Sequence, residues 1–265
     1  MTDTPLSYNA PKLEKDERIL SRADDTTIAY HKLDGQGPGI VFLGGLRSDM
    51  TGTKAQALEN YCREENRAFV RFDYFGHGSS SGDFAEGTIG RWTKDAICVL
   101  DEITNGPQIL IGSSMGGWIM LLAAIARPDR VAALIGIAAA PDFTETLLWK
   151  NYPKDVQETL RRDGVYFQPT PYEEGPYAIT MKLIENGRRH LLLESAIDIN
   201  CPVHLIQGMM DDAVPWQHAL AISKNLASTR VTITLVKDGD HRLSRDEDLA
   251  RLMRIVDAVC DGLHI

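Results

Sequence analysis

An α/β protein with a mostly parallel central sheet is the fold class this sequence predicts, and three observations predict it. Short β-rich runs alternate with longer runs of helical spacing from residue 26 onward. Several β-rich runs are apolar without interruption, as strands covered on both faces are. Two apolar runs, "QILIG" and "MGGWIMLLAA", are joined only by serines at a tight corner. Strand–helix alternation of this kind puts helices on both faces of the sheet.

The elements follow in order. Residues 1–20 are polar and predict a loosely packed arm. "TTIAYHKL" (26–33) alternates as a strand, and "GIVFLGG" (39–45) is a buried strand ending in glycines. A helix over 53–65, a strand over 68–76 and a helix over 88–103 come next. "PQILIG" (107–112) is a strand, and "MGGWIMLLAAIARP" (115–128) is a helix stopped by Pro128. "VAALIGIAAA" (131–140) is another buried strand. The rhythm resumes with strand 202–208, helix 215–226, strand 230–236 and helix 248–260. Between them, residues 142–198 are rich in Tyr, Pro, Glu and Arg. That stretch far exceeds the usual connection of about 2–6 residues and predicts a helical cap inserted over the carboxyl edge of the sheet. The domain expectation is one unit over 1–265 carrying that cap.

Composition bounds the function. The chain has 265 residues, 43% apolar and 25% charged, enough to bury a core without a disulfide or metal. A net charge of -9 argues against nucleic acid and anionic membrane surfaces as partners. No apolar run reaches the roughly 20 residues that span a bilayer. The first 20 residues have neither a signal-peptide core nor an Arg-rich amphipathic pattern. Cys62, Cys98, Cys201 and Cys260 are scattered, with no CxxC pair. Free thiols and an unaddressed N-terminus predict a cytoplasmic setting.

Gly112-Ser113-Ser114-Met115-Gly116 fits G-x-S-x-G with Ser114 central, a strand before it and a helix after it. A nucleophile held on such a turn has a strained backbone, and bulky neighbours at Gly112 and Gly116 would collide with it. The helix that follows aims free N–H groups at the reacting carbonyl oxygen. A serine hydroxyl needs a base. Of seven histidines, His241 follows the strand at 230–236, where a parallel sheet presents its carboxyl end, and fits the order Ser…Asp…His. His31 and His204 lie on strands, His77 in a turn, His190 in the cap, His218 on a helix and His264 at the chain end. The orienting acid is expected at the end of strand 202–208. Asp211 is favoured there, Asp212 reads as a turn cap before Pro215, and Asp142 after strand 131–140 is the outside candidate. The backbone N–H groups of Met115 and of Leu46, in the loop after strand 39–43, are the expected oxyanion donors.

These residues resemble the α/β-hydrolase superfamily. "RFDYFGHGSSSG" (71–82) resembles its D-x-x-G-x-G-x-S turn, which reads as architectural, with Asp73 bonding the backbone just beyond it. A narrower resemblance, to the abhydrolase-domain-10 type, runs through "SDMTGTKA" (48–55), "GPQILIGSSMGGWIMLLAAIARP" (106–128), "CPVHLIQGMMDDAVPW" (201–216) and "DHR" (240–242). The resemblance implies a Ser114–Asp211–His241 triad and palmitoyl-protein thioesterase or acyl-glucuronide esterase activity. The sequence departs from that type in having Gly44-Gly45 where Pro-Gly is usual, and in lacking a transit peptide.

The function expected is a serine hydrolase cleaving carboxylic esters or acyl thioesters through an acyl-enzyme, with no cofactor and no metal. Its substrate is a small acyl ester or thioester, or an acylated protein. Leu147, Leu148, Trp149, Tyr166 and Phe167 are the expected lining of an acyl pocket in the cap. The rivals are C–C bond hydrolysis or acyl transfer on the same triad, and a non-catalytic ligand receptor on a hydrolase scaffold.

Overall fold

The structure, a computed structural model, describes residues 17–169 and 175–263. Its core is an eight-stranded sheet made of β1 (Arg18–Ser21), β2 (Thr27–Leu33), β3 (Gln36–Leu43), β4 (Arg67–Phe72), β5 (Gln108–Ser113), β6 (Val131–Ile137), β9 (Val203–Gly208) and β10 (Val231–Val236). The intervening β7 (Val165–Gln168) and β8 (Tyr177–Thr180) form a separate two-stranded hairpin. The sheet order is β1-β2-β4-β3-β5-β6-β9-β10. β1 and β2 run antiparallel to their neighbours, and every pairing from β4 to β10 is parallel.

The helices are α1 (Thr53–Glu64), α2 (Ile89–Glu102), α3 (Met115–Ala126), α4 (Lys154–Asp163), α5 (Met181–Arg188), α6 (Gln217–Asn225) and α7 (Asp246–Asp261). They cover both sheet faces, and β5 shows how. Ile109 and Ile111 pack with α1 and α7 residues such as Leu58 and Val256, while Leu110 packs with Trp92 of α2 and Trp118 of α3. A strand buried on both faces has no reason to alternate, which is why "QILIG" is apolar throughout. α3 is buried along nearly its whole length, including Trp118 and Leu121. Among the described residues no helix is long and apolar enough to cross a membrane.

Several boundaries differ from the sequence expectation, each for a local reason. The strand read at 68–76 ends at Phe72; the Asp73 N–H makes a last bond to the Ala29 carbonyl at 2.9 Å, and its carboxylate then accepts the N–H groups of Met50 at 2.6 Å and Ser79 at 2.8 Å, turning the chain into the next loop. The run read at 131–140 stops pairing at Ile137, and Ala138 turns with φ of 46°. The polar arm expected over 1–20 contains β1 from Arg18 onward, and residues 1–16 lie outside the described residues. The stretch between β6 and β9 holds a π-helical turn (Thr144–Leu148), α4, the β7–β8 hairpin and α5. The helices agree with the helical cap expected there, and the β7–β8 hairpin is an addition to it.

The chain order reverses in space at the centre of the sheet. From β3 the chain moves outward to β4, whereas from β5 it moves the other way to β6 and β9. The carboxyl ends of β3 and β5 therefore flank a switch point, where open α/β sheets leave a crevice for ligands.

Candidate active site

Ser114 stands at that switch point, between the end of β5 and the start of α3. Its backbone has φ of 54° and ψ of -119°, a region that costs a non-glycine residue roughly 1–3 kcal/mol. Three hydrogen bonds hold it there: its N–H donates to the Ile137 carbonyl at 2.9 Å, and its own carbonyl accepts from Gly117 at 2.9 Å and Ala140 at 3.1 Å. Close approach makes the flanking glycines necessary. A Cβ on Gly112 would lie 2.4 Å from the Gly116 carbonyl oxygen, and one on Gly116 would lie 2.1 Å from that of Leu43. Those oxygens belong to backbone that cannot swing away. Gly116→Ala is therefore expected to destabilise the fold by about 3 kcal/mol, the upper range for an overpacked core, as read by urea unfolding.

His241, on the loop after β10, points its Nε2 at Ser114 Oγ across 3.1 Å. Its Nδ1 lies 2.8 Å from Asp211 Oδ2, on the loop after β9. A carboxylate only accepts, so Nδ1 carries the proton and Nε2 is left to accept the serine hydroxyl. Asp211 is itself buried and fixed. Its Oδ1 accepts the N–H groups of Ala213 and Val214 at 2.9 and 2.8 Å, and its Oδ2 accepts Gln207 Nε2 at 2.9 Å. Asp212 is exposed and turns toward the cavity rim. Asp142 is buried with φ of 62°, and its two oxygens accept the N–H groups of Leu192 and Leu193, each at 2.8 Å. Burial holds its carboxyl above the usual range, and the two donors tie it to the segment leading into β9. Of the three candidate acids, only Asp211 reaches His241.

A cavity of about 620 Å³ opens over Ser114 and His241. Gly44, Gly45 and Leu46 line it beside Met115. A Cβ on Gly45 would sit 3.6 Å from Ser114 Cβ, so the loop after β3 passes directly against the serine. Its lining combines apolar side chains, Phe143, Leu147, Leu148, Tyr177 and Ile179, with polar ones, Asp49, Lys54, Asp212, Arg242 and Ser244. Three of the expected pocket residues are not part of the lining. Trp149 has the guanidinium groups of Arg161 and Arg188 over its ring, each 4.8 Å from the ring centre. Tyr166 packs edge-on against Tyr152, and Phe167 is 60% exposed. Neither aromatic side chain of β7 lines the cavity, although Gln168 of the same strand does.

Sequence reasoning missed Lys54. At the start of α1, its Nζ donates to the Arg242 carbonyl at 2.5 Å and reaches Ser244 Oγ at 3.3 Å, tying the His241 loop to α1. Desolvation of the ammonium pushes its pKa down to about 8. Among the described residues no other histidine lines the cavity. His204 contacts Thr234 Oγ1 at 2.9 Å, His190 contacts the Asn186 carbonyl at 2.8 Å, and His77 is buried beneath the loop after β3. His264 lies outside the described residues. Among the described residues no three metal-ligating side chains gather. Cys62, Cys98, Cys201 and Cys260 are free, and burial pushes the Cys62 thiol up to about 12.

A parallel sheet, a serine on the strained turn after its central strand, and a cavity at the switch point together define the α/β-hydrolase class of architecture. The chain belongs to the alpha/beta hydrolase family, whose sequence model matches residues 40–252. Over 246 residues it is 43% identical to palmitoyl-protein thioesterase ABHD10, mitochondrial, of Homo sapiens, a match covering 92% of this chain and 80% of that protein. Two solved structures are also similar. Mouse alpha/beta hydrolase domain-containing protein 10 superposes with a TM-score of 0.87 at 42% identity, covering 93% of this chain and 99% of that one. A putative hydrolase from Agrobacterium vitis S4 superposes with a TM-score of 0.88 at 38% identity, covering 92% and 98%.

The same comparison corrects the cytoplasmic expectation. Relatives 42–44% identical over 92% of this chain are mitochondrial proteins by name. The cysteines could not have decided the matter, since free thiols persist in any reducing compartment.

Proposed function

We propose that this chain is a serine hydrolase that cleaves carboxylic esters or acyl thioesters through Ser114, His241 and Asp211. The observation that carries the reading is the relay of 3.1 Å from Ser114 Oγ to His241 Nε2 and 2.8 Å from His241 Nδ1 to Asp211 Oδ2, opening on a half-apolar cavity. Similarity to thioesterases along nearly the whole chain supports the ester and thioester class.

In the first half-reaction, Ser114 Oγ attacks the acyl carbon as its proton passes to His241 Nε2. The N–H groups of Leu46 and Met115 hold the oxyanion that forms. His241 returns the proton to the departing alcohol or thiol, leaving Ser114 acylated. In the second, water gives its proton to His241 and attacks the acyl-serine; the acid leaves and Ser114 recovers its hydrogen. Asp211 keeps the imidazole in the Nδ1–H tautomer and stabilises the imidazolium without itself taking a proton.

The segment at about 142–198 acts as a cap on a single domain. Leu147, with Leu148 and Phe143, contacts the acyl chain, and the polar rim faces the leaving group. Trp149, Tyr166 and Phe167 have no part in this pocket. A panel of p-nitrophenyl esters and acyl thioesters tests the reading. Lengthening the acyl group from two to eight carbons is expected to raise kcat/KM about tenfold or more, well within the ~0.8 kcal/mol available per buried methylene. A flat and very slow profile for every ester and thioester would contradict it.

A further inference from the structure

Beneath the loop after β3 lies a second fixed histidine, which the steps above leave unused. His77 is 4% exposed and enclosed by the rings of Tyr74, Phe84 and Trp92, with centroids 5.7, 5.3 and 5.3 Å away. Its Nδ1 lies 3.1 Å from the Phe75 carbonyl oxygen. That oxygen can only accept, so Nδ1 bears the proton and Nε2 is an acceptor. The backbone N–H of Arg47 donates to this Nε2 at 3.0 Å. Burial pushes the imidazole down to about 4, so the ring is neutral and the acceptor is present at neutral pH.

Arg47 adjoins Leu46 and needs such a partner. Its φ of 60° is left-handed, which costs a residue with a side chain roughly 1–2 kcal/mol. The bond to His77 fixes the Leu46–Arg47 peptide, and with it the direction in which the loop turns past Ser114. The rest of the loop is gripped from the same corner. Asp73 accepts the Met50 N–H, and the Arg71 guanidinium donates to the Met50 carbonyl while pairing with Glu59 of α1.

We infer that His77 is a positioning residue: by accepting the Arg47 N–H, it holds the neighbouring Leu46 N–H in place to receive the substrate's oxyanion. This rests on the reading of Leu46 as an oxyanion donor. The side chain touches no reacting atom and works from beneath the loop.

The test compares His77→Asn with His77→Gln. The glutamine carbonyl reaches the position of Nε2, whereas the asparagine amide stops near that of Nδ1. Losing one oxyanion donor outright costs about 10²–10³ in kcat. His77→Asn, which only loosens one, is expected to lower kcat about tenfold to a hundredfold with KM within about twofold, and His77→Gln to stay within about threefold of the parent. Both place an amide in the same ring-lined space, so a packing defect alone would damage both. Leu46→Pro deletes the donor itself. Adding His77→Asn to it is expected to cost nothing further, because residues acting through one group are not additive. A folded Leu46→Pro with parental kcat would sink the oxyanion reading and leave His77 nothing to position. A fall in kcat for Leu46→Pro with no fall for His77→Asn would overturn only the role of His77. So would equal losses in His77→Asn and His77→Gln, or failure of either to fold, since each makes His77 a core residue.

Discussion

Replacing Ser114 with alanine is expected to lower kcat by about 10⁶ for the best ester or thioester in the panel, with the fold intact. The size follows from what is lost. Without Oγ no acyl-enzyme forms, and His241 keeps no hydroxyl to activate. What remains is the water reaction in a cavity where, on the proposed reading, Leu46 and Met115 still offer their N–H groups, a residual advantage of roughly 10³–10⁴ over solution. The fold should survive because, among the described residues, Oγ bonds only His241, while the backbone of Ser114 is held by Ile137, Gly117 and Ala140. Circular dichroism and a thermal melt alongside the assay separate loss of chemistry from loss of structure.

Asp211→Asn is expected to cost about 10⁴ in kcat, and Asp212→Asn no more than roughly twofold. An asparagine amide placed against His241 Nδ1 can donate, which favours the tautomer protonated on Nε2. That tautomer cannot take the serine proton. Asp212 is exposed and contacts no ring nitrogen, so its charge only colours the rim of the cavity. Asp142→Asn belongs to a different class. Its carboxylate serves Leu192 and Leu193, so the expected damage is to stability rather than to turnover. Equal activity in the Asp211 and Asp212 variants would remove Asp211 from the relay.

The parts of this site legible in the sequence are those where one short stretch constrains itself. The turn around Ser114 needed its glycines for contacts within the turn and with the strand beside it, so the pattern was visible without the fold. The acid and the histidine were legible because a parallel sheet delivers every strand end to one edge. Spacing within "GMMDDAVP" favoured Asp211, and the structure adds the reason: Ala213 and Val214 turn their N–H groups back onto that carboxylate.

What stayed hidden depends on direction or on distant partners. Composition marked the stretch after β6 as aromatic, but not that Trp149 would face two arginines and Phe167 the solvent. The β7–β8 hairpin was missed because each strand has only four residues, too few to display a period. Lys54 and His77 lie in stretches that the family resemblance picks out, but they act on segments 188 and 30 residues away, and nothing in those stretches shows which distant backbone they meet.

Intact-protein mass spectrometry after treatment with a fluorophosphonate tests the central claim most directly, because the reagent phosphonylates only a serine made nucleophilic by its surroundings. One adduct per chain on the parent protein and none on Ser114→Ala is the predicted result. An unmodified parent protein, or an adduct that persists in Ser114→Ala, would contradict it.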